Sequence, residues 1–206
     1  MPEKPSAPAR LWRRLRSAVG GVAGLFVGGC ASAEDAKKFH PKCVLIIRHA
    51  EKPPDEAKSP DLNDLGKKRA AALPGLFQKA AGRPDPLPVP DVVFAARDSA
   101  KSRRPSQTVA PLAAELRLKI NAEFEDDEET TKLAKELLTR KYAGKTVLVS
   151  WRHTNIPVLA KALGAGGPLT WDDHVYDRVW KVTYDAQGIA TLADLPQRLL
   201  PGDAGE

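Results

Sequence analysis

Two short runs with apolar centres, Cys43-Val-Leu-Ile-Ile47 and Thr146-Val-Leu-Val-Ser150, limit what this chain can fold into more than any other feature. Each is too short for a helix of ordinary length and is rich in β-branched side chains, which suit a strand. A strand with no polar face has to be covered on both sides, and that happens in parallel sheets flanked by helices. At 206 residues the chain has room for one such domain.

The segments between the runs fit that plan. Residues 51–61 are dense in proline and charge and read as a loop, and Leu62-Asn63-Asp64 opens a helical pattern from Leu65 to Ala81 that bends at Pro74. A proline-alternating connector, 83–90, leads to a strand over Asp91–Ala95. A helix over Ser106–Leu116, a strand over Leu118–Phe124 and a helix over Thr130–Arg140 follow, with the acidic stretch 123–129 placed to offset the last helix's dipole. After the second apolar run come a helix over Ile156–Leu163 and a hairpin of Arg178–Tyr184 with Ile189–Ala193. Strands alternating with helices predict an α/β fold, a three-layer α/β/α sandwich with a mostly parallel central sheet. The domain is expected to span 43–200, with 31–42 as a polar tether.

The formal charge of +6 is not spread evenly. Five of the 32 basic residues and one of the 26 acidic ones lie in 1–30, so the rest of the chain carries only +2. Arg10 to Arg16 precede an uncharged stretch, Ser17–Gly29, that ends at Val27-Gly-Gly-Cys30. A basic segment, an apolar segment and small residues in that order describe an export signal. Cys30 stands where a bacterial lipobox carries its lipidated cysteine. The expectation is an exported lipoprotein, anchored in the membrane and facing the periplasm or cell exterior. Cys43 reads as a buried strand residue. With the charge so nearly balanced and the aromatic residues scattered, no nucleic-acid partner is expected.

In parallel sheets ligands bind beyond the carboxyl ends of strands. Arg48-His49-Ala50-Glu51-Lys52 follows the first run and Trp151-Arg152-His153-Thr154-Asn155 the other, so two of four histidines leave the sheet at the same edge. Ser102-Arg103-Arg104-Pro105-Ser106-Gln107-Thr108 adds guanidinium groups beside a helix start, which favour phosphate. By position Arg103 and Arg104 are both candidates. His40 and His174 lack such a setting, and Asp172, Asp173 and His174 lack metal-ligand spacing.

These segments resemble the histidine phosphatase superfamily, the phosphoglycerate mutase-like group. Arg48-His49-Ala50-Glu51-Lys52 is similar to its Arg-His-Gly/Ala signature, Leu62 to Ala70 to its Leu-Thr/Ser-x-x-Gly-x-x-Arg-Ala segment, and Arg104-Pro-Ser-Gln-Thr108 to its Arg-x-x-Gln-Thr. The run Val147–Ser150 leading to His153 is similar to the strand that carries its second histidine. The resemblance implies a metal-independent phosphatase with no cofactor. It makes His49 the nucleophile that takes the phosphoryl group, and Arg48, Arg104 and His153 the phosphate ligands. The substrate would be a phosphomonoester of unspecified identity, and a general acid would come from the carboxylates after the third strand, with Glu125 the choice and Asp98 an alternative. A phosphomutase, or a surface lipoprotein that binds phospholigands without turnover, would use the same pocket.

Overall fold

The computed structural model describes residues 39–55, 59–80 and 82–204. The export signal expected over 1–30, Cys30 and most of the tether lie outside the described residues. The elements run β1 (Cys43–Arg48), α1 (Asp64–Ala72), β2 (Val92–Ala95), α2 (Arg104–Glu115), β3 (Ile120–Asn121), α3 (Thr130–Leu137), β4 (Thr146–Trp151), α4 (Ile156–Ala162), β5 (Arg178–Tyr184) and β6 (Ala190–Pro196). They form one six-stranded sheet in the order β3-β2-β4-β1-β5-β6. β1, β2, β3 and β4 pair in parallel, while β5 runs antiparallel to both β1 and β6.

The two apolar runs are the adjacent central strands, and every residue of β1 and β4 is buried. Successive side chains of β1 alternate between two cores. Val44 and Ile46 face Leu133, Leu137, Ile156 and Leu159 of α3 and α4. Cys43, Leu45 and Ile47 face Leu73, Leu76, Val109 and Leu112 on the side of α1 and α2. A sheet with helices on both faces follows directly, the three layers that uninterrupted apolar strands require.

Three expected elements end early, each for a local reason. α1 stops at Ala72, and Leu73–Phe77 tightens into a 3₁₀ turn around Pro74, which has no N–H to continue the ladder. The third strand is only Ile120–Asn121 at the sheet's edge, with Arg117 in a left-handed turn just before it. The α3 helix ends at Leu137 and a separate 3₁₀ turn covers Arg140–Tyr142. The acidic stretch ends at Glu129, the N-cap residue of α3, and also serves two arginines: Arg97 holds Glu125 and Glu129, and Arg152 holds Asp126 and Asp127.

Candidate active site

Parallel pairing brings the chemistry-bearing residues to one edge. Ile47 and Arg48 of β1 stand opposite Ser150 and Trp151 of β4, and Ala95 of β2 is level with Ser150. The next residues along each strand therefore emerge side by side, one strand spacing apart. The His49 N–H is still donated to the Trp151 carbonyl at 3.0 Å, so the nucleophile candidate leaves the sheet with its backbone fixed.

The flanking motifs fasten this corner. Thr108 Oγ1 in α2 accepts the Ala50 N–H and donates to the Arg104 carbonyl, both at 2.8 Å, joining the turn after His49 to the helix that carries Arg104. Gln107 Oε1 accepts the Leu62 N–H at 3.0 Å. Asn63 caps α1 by accepting the Gly66 N–H at 2.8 Å, and its Nδ2 donates to the Lys52 carbonyl at 2.9 Å. Gly66 sits so close to the Glu51 backbone that a Cβ there would fall 2.4 Å from the Glu51 carbonyl oxygen. Beneath, Arg69 Nη2 meets Glu51 Oε1 and Asp203 Oδ1, each at 2.8 Å, in a buried ion triad. The sequence motifs thus hold the site's frame as much as its chemistry.

His49, Lys52, Lys101, Ser102, Arg104, Arg152 and His153 line a cavity of about 510 Å³ together with Pro60 and Ala100. No described residue in that lining is acidic. The His49 imidazole is buried, and its Nδ1 lies 2.8 Å from the Ala50 carbonyl oxygen. A carbonyl only accepts, so Nδ1 carries the proton and Nε2 keeps its lone pair. Burial, reinforced by the charges of Arg48, Arg104 and Lys52, lowers its pKa to about 3. Burial and Arg48 also lower His153 below the usual histidine value, against the raising effect of Asp173.

The two adjacent arginines are separated by placement. Arg104 is buried and lines the cavity, whereas Arg103 is half-exposed and makes a two-pronged bond to Asp61 at 2.9 and 2.8 Å. Trp151 turns into the core, donating Nε1–H to Thr130 Oγ1 at 3.0 Å, while Arg152 reaches the cavity. Glu125 does not join them. Its exposed carboxylate is held by Arg97 at 2.9 Å, outside the cavity lining, and Asp98 accepts from the Ser106 hydroxyl. Arg48 meets Asp173, Val175 and Tyr176 from the 164–177 loop instead of lining the cavity. Asp173 and Tyr176 carried no signal in the sequence, because they reach Arg48 from a loop 125 and 128 positions away.

No protein-family model matches the chain, and no curated protein does. Among solved structures, the protein histidine phosphatase SixA complexed with tungstate is similar with a TM-score of 0.54 and 19% identity, over 75% of this chain and 97% of that one. Phosphoglycerate mutase from Bacillus anthracis str. Sterne gives 0.49 and 15%, over 77% and 94%. The structure titled "Putative Phosphohistidine Phosphatase SixA from Nakamurella multipartitia" gives 0.46 and 19%, over 75% and 96%. SixA is covered nearly end to end, and this likeness shows that the chain has the histidine phosphatase fold.

Proposed function

We propose that this protein is a phosphatase that hydrolyses phosphomonoesters or related phosphoryl groups through a phosphohistidine on His49. One observation carries the reading: a neutral imidazole with Nδ1 bound to the Ala50 carbonyl lines a cavity whose charged groups are cationic. Nε2 attacks phosphorus as the bond to the leaving oxygen breaks, and the Nδ1 proton stays on the ring, bonded to Ala50. Water then attacks the phosphoenzyme, breaking the P–N bond, releasing phosphate and restoring the neutral histidine. Splitting hydrolysis this way replaces one difficult displacement with two easier ones. Phosphoryl transfer asks mainly for positioning and for positive charge on the equatorial oxygens; Arg104 and Lys52 supply the charge, and the His153 imidazole a hydrogen-bond donor. The fold is also that of a protein whose structure contains tungstate, a tetrahedral oxyanion.

No described residue of the lining is acidic, but the Asp173 carboxylate stands at its margin, 3.1 Å from His153 Nε2. A phenolate departs without a proton from the protein, which makes an aryl phosphate a suitable first substrate. The test is to incubate the protein with an aryl phosphate labelled in the phosphoryl group. Release of the phenol together with an acid-labile phosphoenzyme is the expected result, and His49→Ala should abolish both. Undiminished turnover in that variant would remove His49 from the role of nucleophile. Tight phosphate binding with neither turnover nor a phosphoenzyme would point to a ligand-binding protein instead.

Export and lipid attachment at Cys30 belong to the same proposal, supported by the basic-then-apolar order of residues 10–30. Labelled fatty acid should enter the wild-type chain in a bacterial host and be lost in Cys30→Ser.

A further inference from the structure

The arginine assigned to phosphate by the sequence is covered. The Arg48 side chain has 0% exposure and is missing from the cavity lining that holds His49, Arg104 and His153. A short segment of the 164–177 loop lies against it. The carbonyls of Asp173 and Val175 accept from Nη1, while Asp173 Oδ1 and the Tyr176 hydroxyl accept from Nη2 at 3.0 and 3.1 Å. The Tyr176 ring lies over the guanidinium at 3.9 Å.

Asp173 Oδ1 gathers more than Arg48. It also stands 3.1 Å from His153 Nε2 and 3.8 Å from Lys52 Nζ. One carboxylate oxygen thus sits among a guanidinium, an imidazole and an ammonium, the set that would hold a phosphoryl oxygen. We propose that Asp173 is an internal competitor for the phosphoryl seat, and that phosphate binds when the 173–176 segment moves off Arg48 and yields Arg48, Lys52 and His153 to the incoming oxyanion. This rests on reading the cavity as a phosphate site.

Two anions do not share one seat, because each disfavours the charge of the other. Burial works to raise the Asp173 carboxyl, yet Lys52, His153 and Arg48 hold it below the usual carboxylate range, so it is ionised at neutral pH. The side chain is 53% exposed, which leaves it free to swing outward without breaking core packing. Upstream, Gly164 and Gly167 take φ of 97° and 91°, and Trp171 is anchored on Trp180 at a ring separation of 5.1 Å. Trp171 Nε1 also donates to the Val175 carbonyl at 3.0 Å, so the movement has to break that bond as well as the bonds to Arg48. A purely structural Asp173, one that only orients Arg48 and His153, makes the opposite prediction for phosphate affinity.

The experiment is calorimetric titration of the full chain with inorganic phosphate, comparing wild type, Asp173→Asn and Asp173→Ala. Both variants are expected to bind at least about tenfold more tightly, the scale set by removing one unit charge a few ångströms from the ligand. Equal or weaker binding in either variant overturns the proposal. A gain in both variants with no phosphoenzyme on His49 would defeat the phosphatase reading and leave the competition standing. Normal phosphoenzyme formation in the wild type with no gain in the variants would do the reverse. Failure of all three proteins to bind phosphate would defeat both.

Discussion

His49 combines three local facts: a buried ring, a carbonyl on Nδ1 and cations on neighbouring residues. Their joint effect is a histidine that stays neutral in the fold down to a pH of about 3, against an ordinary value of 6.5. The unfolded chain takes up that proton near the ordinary value and the native chain does not. Stability should therefore be unaffected by this group above about pH 6.5 and fall as the pH drops from there toward 3, by roughly 1.4 kcal/mol per unit. Urea unfolding at pH 7 and pH 5 is the measurement, and the acid-induced loss should be smaller in His49→Gln than in the wild type. The same residues show what a sequence conveys about a site. Arg48, His49, Arg104 and His153 were legible because each follows a strand exit or opens a helix. Asp173 was not, since nothing local to a loop aspartate says which cation it meets 125 positions away.

At the level of elements, the apolar runs of β1 and β4 were readable because burial on both faces leaves a continuous pattern. The edge strands lack that pattern, and their bounds were not readable: β3 is only two residues and β6 runs on to Pro196. The Arg-x-x-Gln-Thr motif gained a mechanical meaning that spacing could not supply: Gln107 and Thr108 tie α2 to Leu62 and Ala50, so Arg104 and His49 share one mount. The tightest joint is the start of α1. Gly66→Ala would put a methyl 2.4 Å from the Glu51 carbonyl oxygen and 2.9 Å from its nitrogen, and both atoms are backbone that has no rotamer to escape into. This variant should lose about 2 kcal/mol or more of stability, in the range of overpacked sites, and displace the 49–52 turn. Chemical denaturation reads the first effect. The second should appear as a fall in phosphoenzyme formation beyond what the unfolded fraction explains.

For the whole molecule, one ion triad links distant parts of the chain. Glu51 follows the first strand, Arg69 lies in α1, and Asp203 stands four residues past Leu199 in the closing turn. Arg69 and Asp203 are both buried, so Asp203→Ala leaves a guanidinium short of a partner and should cost about 3 kcal/mol in unfolding free energy. Lys67→Ala, which removes an exposed pair with Asp64, should change stability by less than about 1 kcal/mol. A thermal melt series separates the two. The strand order carries a further consequence, for how the protein is made. Cys43 at the head of β1 is paired with Thr146 on one side and Thr183 on the other, so β1 receives its neighbours only after more than a hundred further residues. Until β4 and β5 have been made this hydrophobic ribbon has no sheet to join. Truncation ahead of β5 should therefore resemble a folding defect, seen as aggregation in the producing cell, more than a local injury to an otherwise finished protein.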